Sequence, residues 1–424
     1  MIRKLYDGAI SLWAMAMAPK VLWQSLRYKK YSNSMRERLF GPKDLGDHEG
    51  KPVIWFHAVS LGESKAAIPL VQYYSKKYPN AYMLFSCSTK TAMNHIKSNL
   101  PEVNKSFYFP LDFSWVMKRL MQAYKPQMVI VLESEFWLNF LTEAKLAGAK
   151  VILANGKVSD RSFEKFLRYT FLSRPLFSQF DLLCMQSEKY AKLMKKLVKD
   201  PSKVHHTGNI KFDVKKKPMS EVEIGAIKTL LGLHLHEKVI LIASSHEEEE
   251  IALINKIKNL FDKYPYIRIL VAPRHPERFN RVTRELIAAG FTCEKYEERN
   301  SSRIIIVNKM GVLDVCYQVS DVVIMAGSFN GKVGGHNILE PIEFKKLTLF
   351  GPYMYSQKQI WEDVLRFEAG TQVDIDSLAN KIDDYFSRPE LDSIVKKNAQ
   401  RLLEFVKGAT ERSVKLIDKV SQIS

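Results

Sequence analysis

The chain predicts an α/β protein built of two doubly wound, Rossmann-like domains. Short apolar, β-branched runs alternate with longer amphipathic stretches, which is the pattern of βαβ units around a parallel sheet. The pattern stops at GNIKFDVKKKPMS (208–220), a polar, basic stretch broken by proline, and then starts again. The length of 424 residues suits two or three domains.

The elements follow in order. PVIWFHAV (52–59), YMLFSCST (82–89), QMVIVLES (127–134) and KVILANG (150–156) read as buried strands. Stretches between them, such as KAAIPLVQYYSKKY (65–78), are long enough for helices. After the break, KVILIASS (238–245), IRILVAP (267–273), RIIIVNK (303–309), DVVIMAG (321–327) and LTLFGP (347–352) read as five more strands. Residues 390–424 read as helix. The expected division is an N-terminal segment 1–24, a first domain 25–210, a linker 211–220 and a second domain 221–424 that includes the C-terminal helix. In such sheets ligands bind beyond the carboxyl ends of the strands, so the turns after strands are where function is sought.

A composition of 46% hydrophobic and 26% charged residues provides a core and excludes a disordered chain. The net charge of +18 is unevenly placed. Residues 1–217 hold 36 Lys+Arg against 17 Asp+Glu, a net +19, while residues 218–424 hold 28 against 29, a net −1. A basic first half points to an anionic partner: nucleic acid, acidic lipid or a phosphorylated substrate. It lacks regular aromatic interleaving and any nucleic-acid motif, which speaks against nucleic acid. Four scattered cysteines with no CxxC pair speak against zinc and a disulfide framework, and fit a reducing compartment. The opening MIRKLYDGAISLWAMAMAPKVLWQ has an apolar run from Gly8 to Pro19, 12 residues, against the roughly 20 a spanning helix needs. Asp7 precedes that run, and the basic RYKKYSNSMRERLF follows the segment. The segment reads as a membrane-surface or shallowly inserted anchor, with a buried helix or a cleaved signal peptide as alternatives.

Five motifs sit at predicted strand ends. In HAVSLGESKAAIPL (57–70), a turn leads to Glu63 in the first turn of a helix, where the dipole is expected to lower its pKa and keep it ionised. It is either a base or a capping residue. In VLESEFWLNF (131–140), Glu133 and Glu135 share a face if the strand continues through them; they can perturb each other or pair with Lys or Arg. In ASSHEEEE (243–250), Ser244, Ser245 and nearby backbone N–H groups can face a phosphate, while the glutamates suit the helix dipole and solvent. In VAPRHPERF (271–279), Arg274 lies between two prolines, suited to a phosphate or carboxylate or to covering a helix end. In MAGSFNGKVGGHNILEP (325–341), Gly334 and Gly335 let backbone approach a ligand, Asn337 caps the next helix, and His336 shares a face with Glu340 only if the helix has already begun. No third ligand accompanies that pair, so no metal is expected. The P-loop and GxGxxG fingerprints are absent.

Taken together, SLGES, LESEFW, GNIKFD, VAPRHPERF and GGHNILEP occur in an order and at positions that resemble the 3-deoxy-D-manno-octulosonic acid (Kdo) transferases of lipopolysaccharide synthesis. The resemblance runs from the apolar N-terminus to near the C-terminus. It implies a GT-B architecture, two Rossmann-like domains facing a cleft, with a membrane-associating N-terminal helix. It implies inverting transfer of Kdo from CMP-Kdo to lipid A precursor at the cytoplasmic face of the inner membrane, with no cofactor. The first domain would bind the lipid A acceptor and the second CMP-Kdo. By motif, Glu63 resembles the proton acceptor, and Glu133 and Lys211 resemble groups supporting the transition state. Pro273 and Arg274, Met310, Gly311 and Val312, and Asn337, Ile338, Leu339 and Glu340 resemble the CMP-binding parts, with Glu340 at the ribose. The chain departs from the family pattern at Ser244 and the glutamates after it, at Leu138 where proline is usual, and at Val312 where an acid is usual. Competing readings are another GT-B enzyme acting on a UDP-sugar, as transferase or epimerase, and a non-catalytic membrane- or nucleic-acid-binding protein.

Overall fold

The computed structural model describes residues 2–28, 34–46, 48, 50–213, 217–234, 236–296, 298 and 302–421. The chain forms two compact units, Met1–Lys215 with Val406–Ser424, and Lys216–Phe405.

Among the described residues the first unit carries seven parallel strands: β1 (Val53–His57), β2 (Tyr82–Cys87), β3 (Lys105–Tyr108), β4 (Met128–Leu132), β5 (Lys150–Gly156), β6 (Leu182–Met185) and β7 (Val204–His206). Their order is β3-β2-β1-β4-β5-β6-β7. That order reverses between β1 and β4, the point where doubly wound sheets open a ligand crevice. All five residues of β1 are buried because helices cover both sheet faces. Trp55 packs on one side with Phe107, Tyr124 and Phe140, while Ile54 and Phe56 pack on the other with Leu70, Val71 and Tyr74. At roughly 1.5–3 kcal/mol per fully buried large side chain, this core fixes the strand ends firmly.

The second unit repeats the plan with β8 (Lys238–Ser245), β9 (Ile267–Pro273), β10 (Cys293–Lys295), β11 (Ile304–Ile306), β12 (Val322–Met325), β13 (Leu347–Phe350) and β14 (Thr371–Gln372). The order β10-β11-β9-β8-β12-β13-β14 reverses between β8 and β12.

Nine of these strands follow the apolar runs read in the sequence. The other five, β3, β6, β7, β10 and β14, have two to four residues each, and all but β6 are only partly buried, so they leave no long apolar run. The C-terminal segment divides differently from the sequence reading. Helix Glu390–Val406 ends the second unit, but helix Ala409–Val420 packs into the first. Its Ala409, Val414 and Ile417 join the core beside Ala67 and Leu70, and Asp418 accepts hydrogen bonds from Tyr73 and Tyr74. The expected linker also begins as ordered structure, since Ile210–Asp213 is a 3-10 turn of the first unit; its residues 214–216 lie outside those described.

The N-terminal segment is one helix, Ile2–Tyr28. Its start is fastened to the first unit by polar contacts. Asp7 accepts hydrogen bonds from Ser114 N and Oγ and from Asn139 Nδ2, Arg3 Nε donates to Asn139 Oδ1, and Arg3 pairs with Glu143. Leu5, Leu12, Trp13, Met15 and Trp23 remain exposed. Among the described residues no helix is long and apolar enough to cross a membrane. Of the basic stretch that follows, residues 29–33 lie outside those described.

Candidate active site

At the β1/β4 crevice the first unit gathers three carboxylates and two lysines. Ser60 caps helix Leu61–Lys77, and Glu63 occupies its first turn. The two carboxylate oxygens of Glu63 are held separately: Val59 N–H donates to Oε2 at 2.8 Å, and Ser60 Oγ donates to Oε1 at 2.8 Å. The capping reading of Glu63 therefore holds geometrically. The expectation of a lowered pKa does not. Burial raises the Glu63 pKa above the ordinary value, and the nearby Glu133 charge adds to this; Val59, Ser60 and Lys211 offset only part. Desolvation outweighs the helix N-terminus here.

Strand β4 stops at Leu132, so the alternation expected to place Glu133 and Glu135 on one face does not apply. Glu133 instead adopts a left-handed backbone, φ 58°. Its N–H donates to Ala154 O at 3.0 Å, and its carbonyl accepts from Lys157 N at 3.2 Å. The turn delivers a carboxylate that is only 2% exposed to Lys157 Nζ at 2.7 Å and to Lys211 Nζ. Burial pulls the Glu133 pKa up, but Lys211 and Lys157 together bring it below the ordinary value. A left-handed non-glycine residue costs of order 1–3 kcal/mol and persists where its surroundings over-determine it.

Lys211 arrives from the turn after β7. Asn155, also left-handed at φ 55° within an irregular stretch of β5, accepts from Ile210 N at 3.0 Å. Asp213 accepts from Gly408 N at 2.7 Å and from Thr410 N, at the start of helix Ala409–Val420. The C-terminal helix thus steadies the turn that carries Lys211. A Cβ at Gly62 would stand 3.7 Å from Lys211 Nζ, so Lys211 also lies beside the first turn that bears Glu63.

Two further groups belong to this site. Lys157 follows KVILANG directly, and a cation just past a buried strand was a usable signal. Glu135, which the sequence places two residues after Glu133, also lies here. Trp137 Nε1 donates to its Oε2 at 2.9 Å, and burial with the charges of Glu63 and Glu133 pushes its pKa up to about 7.

The second unit builds another site at its β8/β12 crevice. Ser244 is left-handed (φ 57°) where β8 shifts register against β9. Ser245 does not present its hydroxyl to a ligand as expected: it is buried and donates to Glu250 Oε1 at 2.7 Å. The four glutamates also divide. Glu247 and Glu248 are exposed, but Glu249 and Glu250 are buried. Glu250 pairs with Arg278, and Glu249 accepts from His246 N and Gly327 N. Each is matched by donors, which is what makes its burial tolerable.

Pro273 ends β9, and Arg274 is exposed just beyond it, its N–H donating to Ser245 O at 3.0 Å. Met310 is exposed, Gly311 has φ 82°, and Val312 precedes helix Leu313–Val319. Tyr317 of that helix donates to Glu340 Oε2 at 3.3 Å, which brings the 310–312 turn toward the 337–340 turn. Asn337 Oδ1 accepts from Leu339 N at 3.2 Å, and its Nδ2 donates to Glu340 Oε1 at 3.3 Å. Asn337 is thus an entrance turn one residue ahead of the helix cap, Ile338, with Leu339 buried behind it. Gly334 and Gly335, expected to admit a ligand, are instead filled by the protein. Their φ values are 84° and 83°, and added Cβ atoms would lie 2.3 Å from the Tyr355 ring and 2.3 Å from Met354 Sδ. The helix begins only at Leu339, so His336 and Glu340 do not share its face. His336 Nε2 meets His246 Nε2 at 2.8 Å. Among the described residues no group of three or more His, Cys, Asp or Glu is placed to hold a metal ion.

Known proteins resemble this chain in sequence and in fold. A family model described as 3-deoxy-D-manno-octulosonic-acid transferase (kdotransferase) matches residues 33–214, the unit that carries Glu63, Glu133 and Lys211. A 3-deoxy-D-manno-octulosonic acid transferase of Rickettsia bellii is 30% identical over 387 residues, covering 89% of this chain and 89% of the relative. The chain belongs to the 3-deoxy-D-manno-octulosonic acid transferase family. It is a glycosyltransferase. Another member, from Chlamydia trachomatis serovar D, is 28% identical over 405 residues, 95% of this chain and 91% of the relative. Among solved structures, a glycosyltransferase from Rickettsia africae aligns with TM-score 0.60 at 15% identity, over 88% of this chain and 100% of that one. A UDP-GlcNAc 2-epimerase from Neisseria meningitidis aligns with TM-score 0.60 at 14% identity, over 87% and 100%. These two share the α/β GT-B type of fold, and a fold does not choose a substrate.

Proposed function

We propose that this Kdo transferase moves Kdo from CMP-Kdo to a sugar hydroxyl of lipid A precursor, with inversion and release of CMP. The observation that carries the reading is the buried Glu133 held between Lys157 and Lys211 beside a doubly anchored Glu63, in a member of this family. Glu63 in its ionised form accepts the proton of the acceptor hydroxyl. Its raised pKa makes it a stronger base than an exposed carboxylate. The acceptor oxygen forms its bond to the anomeric carbon as the bond to the CMP phosphate oxygen breaks, and that electron pair leaves with CMP. A single displacement inverts the centre. Lys211 and Lys157 keep Glu133 ionised and supply positive charge where negative charge is moving.

The second unit takes the donor. Arg274, with Pro273 fixing its backbone, meets the phosphate, and Glu340, oriented by Asn337 and Tyr317, meets the ribose hydroxyls. Ser244, Met310, Gly311, Val312, Ile338 and Leu339 shape this site through backbone. No metal or organic cofactor takes part.

The first unit takes the acceptor at the cytoplasmic face of the inner membrane. Leu5, Leu12, Trp13, Met15 and Trp23 form the exposed apolar surface of a helix fastened through Arg3 and Asp7. The net +19 of residues 1–217 draws that surface to anionic lipid and to the acceptor phosphates. Mass spectrometry of products from purified enzyme, CMP-Kdo and tetraacylated lipid A precursor tests the reading. Addition of Kdo mass to the acceptor is expected; turnover of a UDP-sugar with none of CMP-Kdo would overturn it.

A further inference from the structure

Two half-buried imidazoles meet at the point where the second sheet reverses its strand order. His246 follows β8 and His336 lies in the loop after β12, with the two rings nearly coplanar (13° between planes) and their centroids 5.0 Å apart. Their Nε2 atoms are 2.8 Å apart, a hydrogen bond that needs one Nε2 protonated and the other bare. The meeting is built into the fold. The buried Glu249 accepts from His246 N and from Gly327 N, tying the two loops together. Gly327 has no side chain because a Cβ there would lie 2.9 Å from the His336 ring. His275 stacks edge-on to His246 at 5.6 Å.

The groups facing the pair are His275, Arg274 and Arg278 together with the carboxylates of Glu249 and Glu250, and Arg278 is already paired with Glu250. Burial lowers the proton affinity of His246, and His275, Arg278 and Arg274 lower it further against a small opposing pull from Glu250. Burial and then His246, Arg274 and His275 bring the His336 pKa down to about 4. The unliganded pair is therefore neutral at neutral pH, near the exposed Arg274.

We propose that the His246–His336 pair is an oxyanion site for the donor, taking up one proton from solvent as a phosphate or carboxylate oxygen arrives. This rests on the reading that the second unit takes CMP-Kdo. In the neutral pair the donor ring carries Nε2–H and a bare Nδ1. The incoming anion offsets the surrounding cations, and the proton adds at that Nδ1. The Nε2–H···Nε2 bond survives, and a new N–H faces the anion. CMP-Kdo has two such anions, its phosphodiester and the sugar carboxylate. Affinity then weakens as pH rises and the added proton is lost.

His246→Gln and His336→Gln, checked for folding by circular dichroism and thermal unfolding, test this. Binding of CMP and of cytidine is titrated, and KM and kcat for CMP-Kdo are followed across about pH 6–9, the range over which a histidine-linked proton is exchanged. KM is expected to rise about tenfold or more in each variant, the loss of a hydrogen bond to a charged group. The rise of wild-type KM with pH is expected to flatten, and cytidine binding to stay unchanged. If CMP binding weakens in parallel, the site holds phosphate; if CMP binding is unchanged while KM rises, it holds the carboxylate. Folded variants with KM within twofold of wild type, or an unflattened pH profile, overturn the proposal while wild-type turnover leaves the donor reading standing. Wild-type enzyme that neither binds CMP nor turns over CMP-Kdo overturns both. If the variants do not fold, a wild-type KM that is level across the same pH range overturns it.

Discussion

Lys211→Met removes one cation from Glu133 while keeping most of the stem. In the wild-type chain the Glu133 side chain is 3% exposed, between the side chains of Lys211, 37% exposed, and Lys157, 46% exposed. Removing one partner of a buried pair costs roughly 3–5 kcal/mol. Here Lys157 stays, and both lysines reach solvent, so the structural loss shrinks to about 1–2 kcal/mol. Catalysis loses more, because a preorganised charge near the reacting atoms is worth about 10²–10³ in kcat. The pH dependence supplies the sign. Glu133 has a folded pKa below its unfolded value of about 4.3, so its contribution to stability is present above that pH and lost as pH falls through the folded pKa. Without Lys211, burial is opposed by Lys157 alone, the folded pKa rises, and the acid-side loss of stability becomes smaller. Lys211 also lowers the Glu63 pKa, so the acid limb of kcat/KM moves to higher pH in the variant. Steady-state transfer against pH, with urea unfolding at neutral and acid pH, reads all three effects. A variant with kcat within threefold of wild type and an unmoved acid limb refutes the reasoning. A cycle with Glu133→Gln is expected to show coupling of about 0.5–3 kcal/mol, as for groups in contact.

Three other outcomes follow. In the wild-type enzyme, transfer is lost as pH falls through the Glu63 pKa, and that limb lies above the ordinary carboxylate value of about 4.3 because burial raises it; a limb at or below that value contradicts the desolvation argument. Leu12→Asn with Trp13→Asn removes two exposed apolar side chains, and partition onto anionic vesicles is expected to fall at least about tenfold, given roughly 1.5–3 kcal/mol for each buried; unchanged sedimentation with vesicles contradicts the docking face. Gly335→Ala combines a left-handed backbone with a Cβ aimed at the buried Met354, and is expected to cost the second unit about 2–4 kcal/mol in urea unfolding; an unchanged midpoint contradicts the packing account.

Much of the fold was legible because nine strands are buried on both faces and leave long apolar runs. β14 has two residues and β10 three, and neither is fully buried, so neither leaves an apolar run. Helix Ala409–Val420 looks in sequence like any amphipathic C-terminal helix; its docking on the first unit depends on Asp213 and Asp418, hundreds of residues from their neighbours in the chain. In the first unit, Glu63 and Glu133 were legible as carboxylates at strand ends and Lys211 only through its resemblance to a family motif, and the structure brings all three together. Glu63's proton affinity was not, because burial is a property of the packed unit and outweighs the local helix start. In the second unit, Ser245, Gly334 and Gly335 carry the residue types of a phosphate cradle. Their side-chain spaces are taken by Glu250, Tyr355 and Met354, which sequence spacing does not reveal. The pairing of His336 with His246, 90 positions away, escaped for the same reason.

The central claim is that Glu63 accepts the proton of the acceptor hydroxyl. Glu63→Gln keeps an oxygen for Val59 N–H and an amide for Ser60, so the turn is preserved while the base is removed. Transfer of Kdo from CMP-Kdo to lipid A precursor by this variant, followed by mass spectrometry beside wild type, is the most direct measurement. The expected result is a folded protein that still binds CMP and whose transfer rate falls about 10²–10⁴-fold, the range of general-base catalysis. A rate within a few-fold of wild type would contradict the account.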